Sequence, residues 1–101
     1  MPYVTVATTD ELPPGSRLVV EVDSRLIAVF NVDNRYYAIE DECTHDGGPL
    51  ADGELNGMAI ECPRHGATFD IRTGQALTMP ATQPTARFET RVADGEVQIL
   101  V

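Results

Sequence analysis

Cys43-Thr44-His45-Asp46-Gly47-Gly48-Pro49-Leu50 is followed, after a gap, by Cys62-Pro63-Arg64-His65-Gly66, and the rest of the chain is organised around these two clusters. They contain both cysteines and both histidines of the 101 residues, in the spacing C-x-H-x16-C-x2-H. A chain that places every soft ligand in one stretch is most simply read as holding a metal there. Two thiolates and two imidazoles complete a tetrahedral zinc, or a two-iron cluster with a cysteine pair and a histidine pair. Neither cluster carries a helical period, and glycines and prolines flank the ligands, so both pairs belong on loops.

The flanks say what those loops join. Immediately upstream, Arg35-Tyr36-Tyr37-Ala38-Ile39 reads as a strand, with one tyrosine expected in the core and the other exposed. Before it, Leu18, Val20 and Val22 alternate with Arg17, Val19 and Glu21, and Asp23-Ser24 gives a turn. Leu26, Ala28, Phe30 and Val32 resume the period of two, and Asp33-Asn34 turns again. Val4 and Val6 predict an edge strand. Asp10-Glu11-Leu12-Pro13-Pro14-Gly15 separates it from the meander, because two prolines and a glycine stop a ladder.

Between the clusters, residues 51–57 are turn-rich, and Met58-Ala59-Ile60 is a short strand entering Cys62. Downstream come a strand at Thr68-Phe69-Asp70-Ile71, a turn at Arg72-Thr73-Gly74, and a proline-bounded loop from Met79-Pro80-Ala81 to Pro84. Phe88, Thr90 and Val92 alternate with Arg87, Glu89 and Arg91 as one strand, and Asp94-Gly95 signals a hairpin to a return strand over 96–101. No window of helical period exceeds about a turn or two. The predicted fold is all-β, a single domain over 1–101.

A domain of this size buries a modest core, so a bound metal adds useful stability. The net charge is −9, from 16 acidic and 7 basic side chains. Such a surface repels nucleic acid and anionic membranes and favours a basic partner. Glu40, Asp41 and Glu42 precede Cys43, and Asp46, Asp52, Glu54 and Glu61 lie within the ligand segment, so the acids crowd the metal end. With no apolar run near the roughly eighteen residues of a membrane helix and no basic-then-apolar leader, the chain is expected to be soluble, cytoplasmic and monomeric. One disulfide is the other use of two cysteines, but it would not require a histidine two or three residues after each.

Spacing weighs between the metals. Common zinc modules put two cysteines on one knuckle and two histidines on another, often on a helix. Here each loop offers one of each. If the cysteines hold one iron and the histidines the other, each loop bridges both irons and the two loops clamp the cluster.

C-x-H-x16-C-x2-H, with Gly48-Pro49-Leu50 after the first pair and Gly66 after the second, resembles the Rieske [2Fe–2S] motif. The likeness continues through Phe69-Asp70-Ile71-Arg72-Thr73-Gly74 and the Met79-Pro80-Ala81 loop, and with the meander covers nearly the whole chain. The resemblance implies an antiparallel β-sandwich with a small cluster-binding subdomain of two loops, at about residues 42–82. It implies one [2Fe–2S] cluster per chain, with Cys43 and Cys62 on the buried iron and His45 and His65 on the outer, solvent-facing one.

Departures narrow the resemblance further. Membrane cytochrome-complex members carry an anchor helix and a cysteine pair bridging the loops; Gly48 and Arg64 occupy those cysteine positions. Oxygenase subunits need two further histidines and a carboxylate for a mononuclear iron, and both histidines here are already used. No G-x-G-x-x-G supports a flavin or nicotinamide site. The chain is therefore most similar to the Rieske-type ferredoxins of bacterial multicomponent oxygenases. These are not enzymes: they carry single electrons from a flavin-dependent NAD(P)H reductase to a terminal oxygenase. The alternatives are a small Rieske-like subunit of an assimilatory nitrite reductase, many of which have lost their ligands, and a structural zinc domain.

Two neutral imidazoles in place of thiolates make a cluster easier to reduce, giving potentials of roughly −150 to +300 mV. High-potential relatives have a serine and a tyrosine where this chain has Ala67 and Phe69, so a value in the lower part of that range is expected. Thr44 and Thr68 carry hydroxyls near the ligands and are weaker candidates for contacting the cluster. Gly47, Gly48, Gly66, Pro49 and Pro63 serve as turn formers, a role compatible with wrapping a cluster.

Overall fold

The computed structural model describes residues 2–44, 48–64, 66–79 and 83–101. The expected ligands His45 and His65 lie outside the described residues, as do Asp46, Gly47 and, in the proline-bounded loop, Pro80 and Ala81.

Three antiparallel sheets hold the strands. One joins β1 (Tyr3–Thr8), β10 (Glu96–Leu100) and β9 (Thr90–Ala93) in that order. The second runs β2 (Arg17–Val22), β3 (Arg25–Val32), β4 (Arg35–Glu40) and β8 (Arg87–Phe88). The third is small: β5 (Leu55–Asn56), β6 (Ala59–Glu61) and β7 (Thr68–Asp70). Three hairpins turn on two residues each, Asp23-Ser24, Asp33-Asn34 and Asp94-Gly95, and all six residues have positive φ. That geometry matches the right-handed twist of the paired strands, and small polar side chains or glycine tolerate it.

The four-stranded sheet is covered on both faces. Ala28, Phe30 and Ile39 face a core shared with Leu50, Ile60, Phe69, Cys43 and Cys62. Ile27, Val29, Ala38 and Phe88 face a second core with Val97 and Ile99 from the β1-β10-β9 sheet. This corrects the simple alternation expected along β3. Leu26 is 51% exposed, whereas Ile27 and Val29 are fully buried. A central strand with both faces packed shows a continuous apolar run. The expectation of one buried and one exposed tyrosine fails for the same reason: Tyr36 packs on one core and Tyr37 on the other, and both are half-buried.

The strand expected through 87–92 is two strands in two sheets. Phe88 pairs with Ala38 in the second sheet, while Thr90 pairs with Ile99 in the first. The chain turns the corner between sheets at Glu89, and the Thr90 hydroxyl donates to the Tyr36 carbonyl at 2.7 Å. Val92 is half exposed beyond that corner. Residues 51–57 also hold more order than their turn-rich composition suggests: a 3₁₀ turn at Leu50–Asp52 and the strand β5. No α-helix occurs among the described residues. Val4 and Val6 lie on an edge strand as expected, with a bulge between Thr5 and Ala7.

Candidate metal centre

The two cysteines leave their strands in the same way. Three residues beyond β4, Cys43 donates its backbone N–H to the carbonyl of Gly48 at 2.8 Å. Directly after β6, Cys62 donates its N–H to the carbonyl of Ala67 at 2.6 Å, and Gly66 donates back to the Cys62 carbonyl at 3.1 Å. Gly66 makes that return with φ of +76°, a region that disfavours side chains. In each case a cysteine amide is tied to a carbonyl five residues on, and by sequence a histidine falls inside each loop.

Both cysteines are 1% exposed and belong to one apolar core with Leu50, Ile60, Ala67 and Phe69. The fold therefore brings Cys43 and Cys62, nineteen positions apart in sequence, onto one dry surface. No group of three or more His, Cys, Asp or Glu converges among the described residues. The chain's other soft donors, by sequence, are His45 and His65. Two buried thiols and two imidazoles are a donor set that would suit a [2Fe–2S] group.

A third segment braces the two loops. The Thr44 hydroxyl donates to the Gln83 carbonyl at 2.6 Å, and the hydroxyls of Thr68 and Thr78 lie 2.9 Å apart. Thr44 thus joins the first ligand loop to Gln83, and Thr68 joins the second to Thr78. Thr85, buried beside them, reaches the carbonyls of Glu40 and Glu42, each at 3.3 Å. Asp70, at the end of β7, receives a forked pair of bonds from Arg72 at 3.0 and 2.9 Å. Those bonds hold its carboxyl below the ordinary value of 3.8, and they raise the pKa of the exposed guanidinium in turn.

The acidic run ahead of Cys43 divides into three different roles. Glu40 pairs with Arg25 at 3.0 Å. Asp41 is buried and accepts the Ala51 N–H at 2.7 Å. Of the three, Glu42 alone is exposed, so the run is not the continuous acidic face its composition suggested. Sequence patterning gave no sign of Arg17 or Thr85 at this end of the molecule, since each reaches its partners across more than thirty positions.

The Rieske [2Fe-2S] domain model matches residues 2–89. The 3-phenylpropionate/cinnamic acid dioxygenase ferredoxin subunit of Photorhabdus laumondii subsp. laumondii is 39% identical over 102 residues, covering 100% of this chain and 96% of its own. Among solved structures, the ferredoxin of carbazole 1,9a-dioxygenase from Nocardioides aromaticivorans IC177 superposes with a TM-score of 0.92. It is 32% identical, with 98% of this chain and 97% of that one covered. A chain in a complex of reduced oxygenase and oxidized ferredoxin of carbazole 1,9a-dioxygenase gives 0.89 at 38% identity, covering 96% and 91%.

Proposed function

We propose, from the premise that this chain belongs to the Rieske [2Fe–2S] domain family, that it is the ferredoxin of a ring-hydroxylating oxygenase system. It is an electron carrier with one [2Fe–2S] cluster and performs no chemistry on a substrate. In this reading Cys43 and Cys62 hold the buried iron and His45 and His65 the outer one. Residues of about 42–82 form the cluster-binding subdomain of a single domain. When bound, the cluster takes up and releases one electron at a time. The chain's own part is to keep water from the sulfur side, through the core of Ile60, Ala67 and Phe69, and to hold the loops still through their backbone ties.

The donor would be a flavin-dependent NAD(P)H reductase and the acceptor a terminal non-heme iron oxygenase, all in the cytoplasm. No helix among the described residues is long and apolar enough to cross a membrane. The observation that carries the reading is the burial of two loop-borne cysteines in one core, each tied by its own amide. The test is direct. Purified protein should be red-brown, with iron and acid-labile sulfide in equal amounts and a rhombic electron paramagnetic resonance (EPR) signal once reduced. Mixed anaerobically with an oxidised ring-hydroxylating oxygenase, it should lose that signal as the oxygenase is reduced. A colourless zinc protein, or a reduced cluster that no such oxygenase can discharge, overturns the reading.

A further inference from the structure

The turn that follows the first ligand loop is gripped from several sides. Asp41 Oδ1 accepts the Ala51 N–H at 2.7 Å. Arg17 Nη1 donates to the carbonyl oxygens of Ala51 and Gly53, at 3.0 and 2.7 Å. The same guanidinium lies over the Phe30 ring, 5.6 Å from its centroid. Leu50, at the start of the turn, is fully buried in the core that contains Phe30 and both cysteines. Gly53 closes the far side: a Cβ there would stand 1.6 Å from the carbonyl oxygen of Glu61.

The positions of these contacts matter. Asp41 stands two residues before Cys43, and Glu61 one residue before Cys62. The 50–53 turn therefore touches the root of both ligand loops. If it shifts, the distance between the two roots shifts with it. Asp41 is only 8% exposed, so its carboxylate is spent inside the fold and is not a docking charge.

We infer that Asp41 and Arg17 are positioning residues that clamp this turn as a spacer, setting the separation of the Cys43 and Cys62 loops. This rests on the reading that those cysteines are ligands of the cluster. Groups behind the ligands govern how tightly a metal is held and how its electrons are distributed, and a site loosened by about half an ångström loses that control. The clamp works through bond geometry, so an oxygen acceptor at position 41 suffices and the charge is not needed.

The experiment uses the cluster-loaded protein and three variants: Asp41→Leu, Asp41→Asn and Arg17→Met. The readouts are the g values of the reduced cluster and the rate of iron loss to a chelator at neutral pH. Asp41→Leu and Arg17→Met should each shift the g values and speed iron loss by about tenfold or more. Asp41→Asn keeps an acceptor in place and should remain within about twofold of wild type. Val97→Ala is the control: that fully buried side chain lies in the second core, on the β1-β10-β9 sheet, so its loss lowers stability without moving the g values. Should Asp41→Leu fail to fold, Arg17→Met and Asp41→Asn still decide. Wild-type g values and iron loss in Arg17→Met overturn the clamp, and so does an Asp41→Asn protein that behaves like a lost bond. A wild-type protein without a rhombic signal would instead sink the ferredoxin reading beneath it.

Discussion

The two ends of this molecule are held by different means. At one end, β2, β3 and β4 pair over six residues or more with tight two-residue turns, and pack against the β1-β10-β9 sheet through Ile27, Val29, Val97 and Ile99. At the other, β5, β6 and β7 have two or three residues each. Strands that short cannot form a stable sheet alone. The metal end relies instead on single polar ties from Thr44, Thr68, Thr85, Asp41 and Arg17, together with its part of the core. The sandwich is stable through area; the metal end is expected to gain stability when a metal joins its loops.

The strongest way to break that contrast is to remove the metal. Cys62→Ser, or replacement of His45 or His65 by Ala, should abolish cluster retention, measured as iron and sulfide per chain. Metal binding at such a site is itself folding free energy. Hydrogen exchange on the metal-free protein should therefore show β5, β6 and β7 unprotected while β1, β9 and β10 stay protected. Uniform loss of protection would mean one cooperative unit and would erase the distinction.

Core truncation is the next sharpest probe. Phe69 and Ile99 are both fully buried, one in each core. Phe69→Ala should cost about 3–5 kcal/mol and Ile99→Ala about 2–5 kcal/mol in denaturant unfolding. Only Phe69→Ala should also lower the iron bound per folded chain. Equal iron content in the two variants would show that the metal end does not depend on its apolar floor.

How much of this was legible in advance follows the same divide. The hairpins at Asp23-Ser24, Asp33-Asn34 and Asp94-Gly95 announce themselves locally, because turn chemistry and strand alternation are short-range properties. The clustering of both cysteines and both histidines in two short stretches of sequence was equally plain. Whether a strand is central is not local, so the burial of Ile27 and Val29 escaped notice, and the alternation through Phe88, Thr90 and Val92 concealed a change of sheet at Glu89. The acidic run misled because composition records charge without its partner: Arg25 for Glu40 and the Ala51 amide for Asp41 come from elsewhere in the chain.

Acid should act on the metal end with a smaller effect. The Arg72 fork lowers the folded-state pKa of Asp70 below its ordinary 3.8. A depressed carboxyl contributes stability that is present above the unfolded value and is lost as pH falls through the folded one. Since the Arg72 side chain is more than half exposed, solvent screens the pair and the contribution is small. Denaturant midpoints for wild type and Asp70→Asn should differ at pH 7 and converge below the ordinary carboxyl value. A gap that persists in strong acid would assign the effect to packing.

The finest comparison places one small change in each core. Ala67 and Ala38 are both buried, the first beside the cysteines and the second in the sandwich. Replacing either with serine buries a hydroxyl and should cost stability unless that hydroxyl finds an acceptor. At position 67, in the core that holds both cysteines, a sulfur of the bound cluster would offer one. A hydrogen bond that is about 1 kcal/mol stronger in the reduced state than in the oxidised one raises a one-electron potential by about 40 mV. Ala67→Ser should therefore move the redox midpoint upward from the lower part of the Rieske range. Ala38→Ser should leave it unchanged while lowering the unfolding midpoint. Equal midpoints in the two variants would mean that the Ala67 side chain does not face the sulfurs, and the low potential expected here would need another cause.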